Sequence, residues 1–277
     1  MLNNLVLSIF PGADLLGRGF ESVGYCVVRG PDLVWGGDVR EFVPPRGVFA
    51  GVIGGPPCQN FSRANRNPDP EKGVELVNQF LRIVTCAEPE WYLCENVNGM
   101  PDFVFDETWV VQRFNLNASE CGCRQNRPRT FLFGYRTGFG LVIHRGTKEP
   151  GASPCVLASE GKRKHRRTFA DVCELQGLPR SFDLPGLSLG GKYRAVGNGV
   201  PVPMARVIAT AIQRRPVTPV RVCVCECGRP APSGRTLATP ACRKRMQRRR
   251  DAAGVTSPGP VTPTMSPLWP DSHETAL

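Results

Sequence analysis

Short apolar runs alternate with turn residues along the first three quarters of the chain. Leu5-Val6-Leu7-Ser8-Ile9-Phe10, Tyr25-Cys26-Val27-Val28, Val48-Phe49-Ala50-Gly51-Val52-Ile53, Trp91-Tyr92-Leu93-Cys94 and Thr130-Phe131-Leu132-Phe133 are each near-continuously apolar. That is the pattern of strands covered on both faces of a sheet. Helical spacing appears between and after them: Leu15 to Val23, then Val74 to Cys86 with Val74, Val77, Leu81 and Val84 on one side, and finally Val202 to Ile212. The pattern predicts an α/β fold, in which ligands gather beyond the carboxyl ends of the strands.

The residues just past those strand ends carry the candidate chemistry. Val48–Ile53 leads into Gly54-Gly55-Pro56-Pro57-Cys58-Gln59-Asn60-Phe61-Ser62, so one cysteine stands on a loop stiffened by two prolines. The run at Trp91–Cys94 ends in Glu95-Asn96-Val97 and the turn Asn98-Gly99, which puts a carboxyl where it can act as an acid beside the thiol. Gln125-Asn126-Arg127-Pro128-Arg129 precedes the strand at Thr130, and Val196-Gly197-Asn198-Gly199-Val200-Pro201 precedes the last helix.

In this order and spacing the Pro-Pro-Cys, Glu-Asn-Val, Gln-x-Arg-x-Arg and Gly-Asn-x-Val-Pro blocks resemble the DNA cytosine-5 methyltransferases, over roughly residues 5–213. The likeness implies a Rossmann-like, S-adenosylmethionine-dependent methyltransferase domain. It implies that Cys58 attacks C6 of a flipped-out cytosine in double-stranded DNA, that Glu95 engages N3, and that Arg127 and Arg129 help to hold base and backbone. Thiolate addition makes sense of these residue types, because it turns the unreactive C5 into an enamine carbon able to take a methyl group. Burial should raise the Glu95 carboxyl so that it can serve as donor.

The resemblance places the methyl donor near Phe10, Gly12, Asp32, Asp38, Pro57 and Asn198. Gly36-Gly37-Asp38-Val39 is similar to an adenine-contacting Gly-Asp pair, and Asp32 follows the second strand, where an acid can take ribose hydroxyls. Ordinary turn carboxylates are the alternative reading of both aspartates. The chain departs from the family's Phe-x-Gly-x-Gly-Gly turn: Asp14 and Leu15 stand at the two later glycines, and Ser8 stands where an aspartate is common. Gln176-Gly177-Leu178-Pro179 matches a further block, read as support with a backbone role. The recognition insert between the blocks spans only about residues 134–165 and ends in Lys162-Arg163-Lys164-His165-Arg166-Arg167. An insert so compact suggests a phage or mobile-element enzyme, with a restriction-modification setting in view.

Charge divides the chain further. The net charge is +11 over 277 residues, but residues 214–250 hold eleven Arg or Lys against one acid, Glu226. So local an excess suits a polyanion such as DNA, or else a solvated tail. The domain at residues 1–213 is therefore followed by a small basic module at 214–250 and a Pro-, Thr- and Ser-rich tail at 251–277, expected to be disordered. Nothing at the amino terminus resembles an export signal and no run of about 18 apolar residues stands out, so a cytoplasmic or nucleoid-associated monomer in a bacterial host is expected.

A reducing compartment makes the twelve cysteines thiols or metal ligands. Cys223, Cys225, Cys227 and Cys242 resemble a zinc ribbon in which Ala238 replaces a usual ligand; either the four thiolates bind a structural zinc or the ribbon has decayed. Two alternatives to a DNA methyltransferase remain at this point: a catalytically inactive DNA-binding relative, and an RNA cytosine-5 methyltransferase.

Overall fold

The computed structural model describes residues 4–57, 61, 67, 69–100, 108–136, 140–148, 151–214, 224–225, 236 and 239–252. Cys58, Cys223, Cys227, Ala238 and residues 253–277 of the tail expected to be disordered lie outside the described residues, whereas Asp251 and Ala252, expected in that tail, end a helix.

Six strands form one sheet: β1 (Leu5–Ile9), β2 (Cys26–Arg29), β3 (Gly51–Gly54), β4 (Trp91–Asn96), β5 (Val110–Asn117) and β7 (Pro128–Tyr135). Their spatial order is β2-β1-β3-β4-β7-β5. The first four are parallel, and β7 runs antiparallel between β4 and β5. The parallel connections need crossovers, supplied by helices α1 (Leu15–Glu21) and α2 (Pro70–Ala87). Beyond the sheet lie α3 (Phe169–Leu175), α4 (Leu189–Asn198), α5 (Val202–Gln213) and the separate basic helix α6 (Pro240–Ala252).

Both faces of the central strands β1, β3 and β4 are buried, while the edge strand β2 is largely exposed, and the two-residue period of the strands sorts the core. Val6, Ile53, Trp91 and Leu93 pack with Phe20 of α1 and Met204 and Ile208 of α5. Their neighbours Leu7, Ile9, Val52, Tyr92 and Cys94 pack with Phe80, Ile83 and Val84 of α2. The close approach of Trp91 explains Gly51 on the adjacent strand, where a Cβ would fall 2.2 Å from the indole ring.

Three expectations shift against this frame. β4 continues through Glu95 and Asn96 because those residues still pair with Phe131 and Thr130 of β7. The insert expected from residue 134 starts after Tyr135, since Gly134 and Tyr135 belong to β7. It is also tied down along the sheet edge, with the Leu141 N–H donating to Gln112 Oε1 at 2.6 Å and Gln112 Nε2 donating back to the Leu141 carbonyl at 3.1 Å. Its strand β8 (Ser153–Pro154) pairs in parallel with β6 (Gln125–Asn126). Finally, α4 and α5 together make an apolar stretch, Leu189–Gln213, long enough to cross a membrane by length and composition, but two thirds of its most apolar window is buried within the protein. It is core.

Candidate active site

β3 and β4 end side by side, and the loop leaving β3 is anchored to β4. Asn96, fully buried, donates from Nδ2 to the Pro56 carbonyl at 3.1 Å and accepts the Val97 N–H at 2.9 Å. Gly55 lies so close to the end of Glu95 that a Cβ there would sit 2.8 Å from Oε2. The Gly-Gly-Pro-Pro segment therefore starts beside the Glu95 carboxylate, and Pro57, the last described residue before Cys58, is exposed. Sequence reasoning gave Asn96 no role. Its signal was a side-chain amide in an otherwise apolar buried strand, where a polar group needs a partner.

Glu95 is 7% exposed, and Arg129 Nε lies 2.9 Å from its Oε1. Burial pushes the carboxyl above the usual range, while Arg129 and then Arg127 pull it back. The two strands make this pair possible. Antiparallel pairing sets Glu95 opposite Phe131, so Arg129, two residues earlier on β7, reaches across the end of β4.

Arg127 is placed otherwise. It is 1% exposed, and both terminal nitrogens go to neighbouring chain segments: Nη1 to the Val156 carbonyl at 2.7 Å and Cys155 Sγ at 3.1 Å, Nη2 to the carbonyls of Gly197 (2.8 Å), Asn198 (3.2 Å) and Gly199 (2.9 Å), while Nε is buried without a hydrogen bond. Burial lowers its pKa to about 10, which leaves it charged at neutral pH. Gln125, also buried, donates to the Leu175 carbonyl and to Gln176 Oε1, and Gln176 donates onward to Val196 and Gly199. Three of the sequence blocks thus meet in one polar knot, with Arg127 at its centre and only Arg129 on the carboxylate. The backbone-supporting role expected for Gln176 is the one its side chain fills.

The candidate donor site lies at the ends of β1 and β2. Phe10 and Gly12 both have left-handed φ, 56° and 53°. The Gly12 N–H donates to Asp32 Oδ2 at 2.8 Å, and its carbonyl accepts the indole N–H of Trp35, also at 2.8 Å. Asp32 caps the turn Leu33–Trp35 by accepting Val34 N–H at 2.8 Å. Asp38 caps the next turn and pairs with Arg40, whose backbone N–H is the main reason its carboxyl is held below the usual range. Both aspartates thus also serve as turn carboxylates. Asn198 closes α4 with an exposed side chain, and Gly199 abuts Leu15 of α1, where a Cβ would fall 3.0 Å from Leu15 Cδ2. The residue after Asn198 thus packs on the first residue of α1. Trp35, half exposed over Gly12, escaped sequence reasoning because its turn has no period to read.

In the basic segment Cys225 and Cys242 are both buried at 1% exposure, and Arg245 Nη1 lies 3.9 Å from Cys225 Sγ. Among the described residues no group of three or more His, Cys, Asp or Glu could hold a metal ion. Nine cysteines of the described residues are free thiols. Burial raises Cys94 far above its usual range and Cys121 to about 12, which makes both poor nucleophiles.

Residues 38–151 and 142–214 match the C-5 cytosine-specific DNA methylase family. Similar proteins include the type II methyltransferases M.HgiDI of Herpetosiphon aurantiacus, 35% identical over 31% of this chain and 31% of that protein, and M.FnuDI of Fusobacterium nucleatum, 30% identical over 49% and 48%. The chain spans about half or less of the length of these relatives. Two solved structures share the fold: the methyltransferase EhMeth of Entamoeba histolytica, with TM-score 0.57 and 13% identity over 76% of this chain and 98% of that one, and DNMT2 of Spodoptera frugiperda, with TM-score 0.56 and 14% identity over 76% and 99%.

Proposed function

We infer that this chain, which belongs to the C-5 cytosine-specific DNA methylase family, transfers a methyl group to C5 of cytosine in double-stranded DNA. The observation that carries the reading is the Glu95 carboxylate, held by Arg129 at 2.9 Å and standing against Gly55 at the start of the loop that bears Cys58. A buried carboxyl with a raised pKa is suited to protonate or hydrogen-bond a ring nitrogen while a thiol adds to the ring.

In this account a cytosine swings out of the duplex and the Cys58 thiolate forms a bond to C6. The C5–C6 π electrons move toward N3, where Glu95 supplies the proton or hydrogen bond that stabilises them. Arg129 keeps the Glu95 carboxyl aimed at that nitrogen, and Arg127 holds the surrounding segments in register. Bound S-adenosylmethionine supplies the methyl group that C5 takes. The C5 proton then leaves to a base, the electron pair re-forms the C5–C6 double bond, the bond to Cys58 breaks to release the thiolate, and the N3 proton returns to Glu95. Phe10, Gly12, Asp32, Asp38, Pro57 and Asn198 are the residues to hold the donor. Gly12 supports that fit: nothing but Asp32 Oδ2, at 4.0 Å, would meet a side chain there, so its surroundings leave room for a ligand.

The rest of the reading follows the chain's organisation. Residues 1–213 catalyse, the insert of about 136–165 reads a short site, and residues 214–250 add phosphate contacts through the exposed Arg243, Lys244, Arg248, Arg249 and Arg250 of α6. A structural zinc on Cys223, Cys225, Cys227 and Cys242 would draw on Cys225 and Cys242, each 1% exposed; a decayed ribbon without metal is the alternative. The compact insert fits a phage or mobile-element enzyme acting as a monomer on DNA in the cytoplasm of a bacterial host.

Incubating the purified chain with labelled S-adenosylmethionine and duplex DNA tests the reading. Label on C5 of cytosine in DNA, with none on transfer RNA, is the expected result. Label on transfer RNA alone would make it an RNA enzyme, and donor-independent DNA binding without transfer an inactive relative.

A further inference from the structure

Asp14, one of the two positions where the loop departs from the family's glycines, is accommodated by a local device. The loop Phe10–Asp14 carries left-handed φ at Phe10, Gly12 and Asp14, the last at 51°. A non-glycine residue holds that conformation at a cost and persists only where surrounding bonds over-determine it. Asp14 has such bonds. It is 3% exposed, and its Oδ1 accepts the Ser8 hydroxyl at 2.8 Å and the Gly17 N–H at 3.1 Å, which caps α1. Arg29 Nε stands 2.8 Å from Oδ2, an ion pair without a hydrogen bond, and Arg29 also binds Glu21 of α1. Burial raises the carboxyl, against the pull of Ser8 and Arg29.

The neighbours fit the carboxylate as closely as it fits them. Ser8 is 1% exposed on β1, so its hydroxyl has to find a partner inside the protein. Gly17 lies in a helix, where alanine would ordinarily be favoured, yet a Cβ there would stand 2.3 Å from Asp14 Oδ2 and 2.4 Å from Oδ1. Its lack of a side chain makes the room that the carboxylate fills. Asp32 and Trp35 hold Gly12 from the other side of the same loop.

We propose that Ser8, Asp14, Gly17 and Arg29 form an interdependent clamp that fixes the donor loop in its binding conformation, with Asp14 as a positioning residue for the methyl donor. This rests on the reading of the site as an S-adenosylmethionine site. The clamp works without touching the donor: it restricts the turn whose Gly12 the donor approaches, so that less ordering is left for binding to impose.

The test measures S-adenosylmethionine binding by calorimetry, duplex DNA binding, and thermal unfolding for the full chain and for Asp14→Gly, Gly17→Ala and the double variant. Asp14→Gly accepts the left-handed φ but loses the cap and the ion pair, so donor affinity should fall about tenfold with DNA affinity unchanged. Gly17→Ala alone should fall as far, because its methyl collides with the carboxylate. In the double variant the space is vacated, so it should bind the donor no worse than Asp14→Gly, a non-additive cycle. Wild-type donor affinity in Asp14→Gly, or additive losses in the double variant, would overturn the clamp. Parallel loss of donor and DNA binding with a lowered melting temperature would reduce it to general stability, which also overturns it. A native chain that binds no donor would instead remove the cofactor reading on which the proposal stands.

Discussion

The ends of β1 and β2 are built mainly from local bonds, whereas the ends of β3 and β4 are built from distant ones. At the first, Asp14 bonds Gly17, Asp32 bonds Val34 and Asp38 bonds Arg40, each within three residues, with the contacts of Asp32 and Trp35 to Gly12 and of Arg29 to Asp14 as long-range exceptions. At the second, Asn96 reaches Pro56 across 40 residues, Glu95 meets Arg129 on another strand, and Arg127 bonds Gly197 across 70. Local caps each satisfy one turn and can be weakened one at a time. A knot of distant partners fails together, because loss of one group leaves several buried ones unmatched.

The largest effect is expected at the reacting end. Glu95→Gln should slow methyl transfer by several orders of magnitude while duplex DNA is still bound, since the amide cannot give a proton to the ring. The pH profile sharpens this. Glu95 must be protonated to donate, burial raises its pKa, and its protonated fraction falls as pH rises, so the native rate should decline through that raised value. In Glu95→Gln that limb should vanish. A near-normal rate would make Glu95 a structural strand-end carboxylate.

Arg127→Met comes next. It removes the guanidinium donors from the carbonyls of Val156, Gly197 and Asn198 and one of two donors from Gly199, and stability should drop by about 3 kcal/mol or more, read as a lower denaturant midpoint. Arg127→Lys should not restore it, because an ammonium cannot span two sides of the knot as the forked guanidinium does. Unchanged stability in Arg127→Met would mean that the distant bonds carry little and that the contrast between the two ends is only one of geometry.

Asp38→Asn is the smallest. Asparagine keeps the cap on the Arg40 turn and loses only charge at an exposed site, so donor affinity should fall by about threefold or less. A loss as large as that of Asp14→Gly would mean that the Asp38 charge, not the geometry its cap maintains, carries the hold on the donor, and would erase the distinction.

The sequence made the strands and helices legible where apolar residues recur with period, as at Val74 to Cys86, which lies within α2. It made the blocks legible as well, because they are contiguous. It could not divide Arg127 from Arg129, two residues apart in one block, since burial of the first depends on segments at 155–156 and 197–199 that only the fold brings together. β5 was missed for a related reason: its alternation of polar Gln112, Arg113, Asn115 and Asn117 with apolar Phe114 and Leu116 is that of a strand whose partners, β7 and the insert, lie further along the chain. Asp14 was legible as a departure from glycine but not as a clamp, because its meaning depends on Ser8 and Arg29.

The central claim is that Cys58 adds to cytosine in DNA. A duplex carrying 5-fluorocytosine, incubated with the chain and S-adenosylmethionine, blocks release because fluorine cannot leave as the proton does. The account predicts a covalent protein–DNA adduct that survives denaturation, maps to Cys58 by mass spectrometry and is absent from Cys58→Ala. Donor-bound protein that forms no adduct, or an adduct that persists in Cys58→Ala, would contradict it.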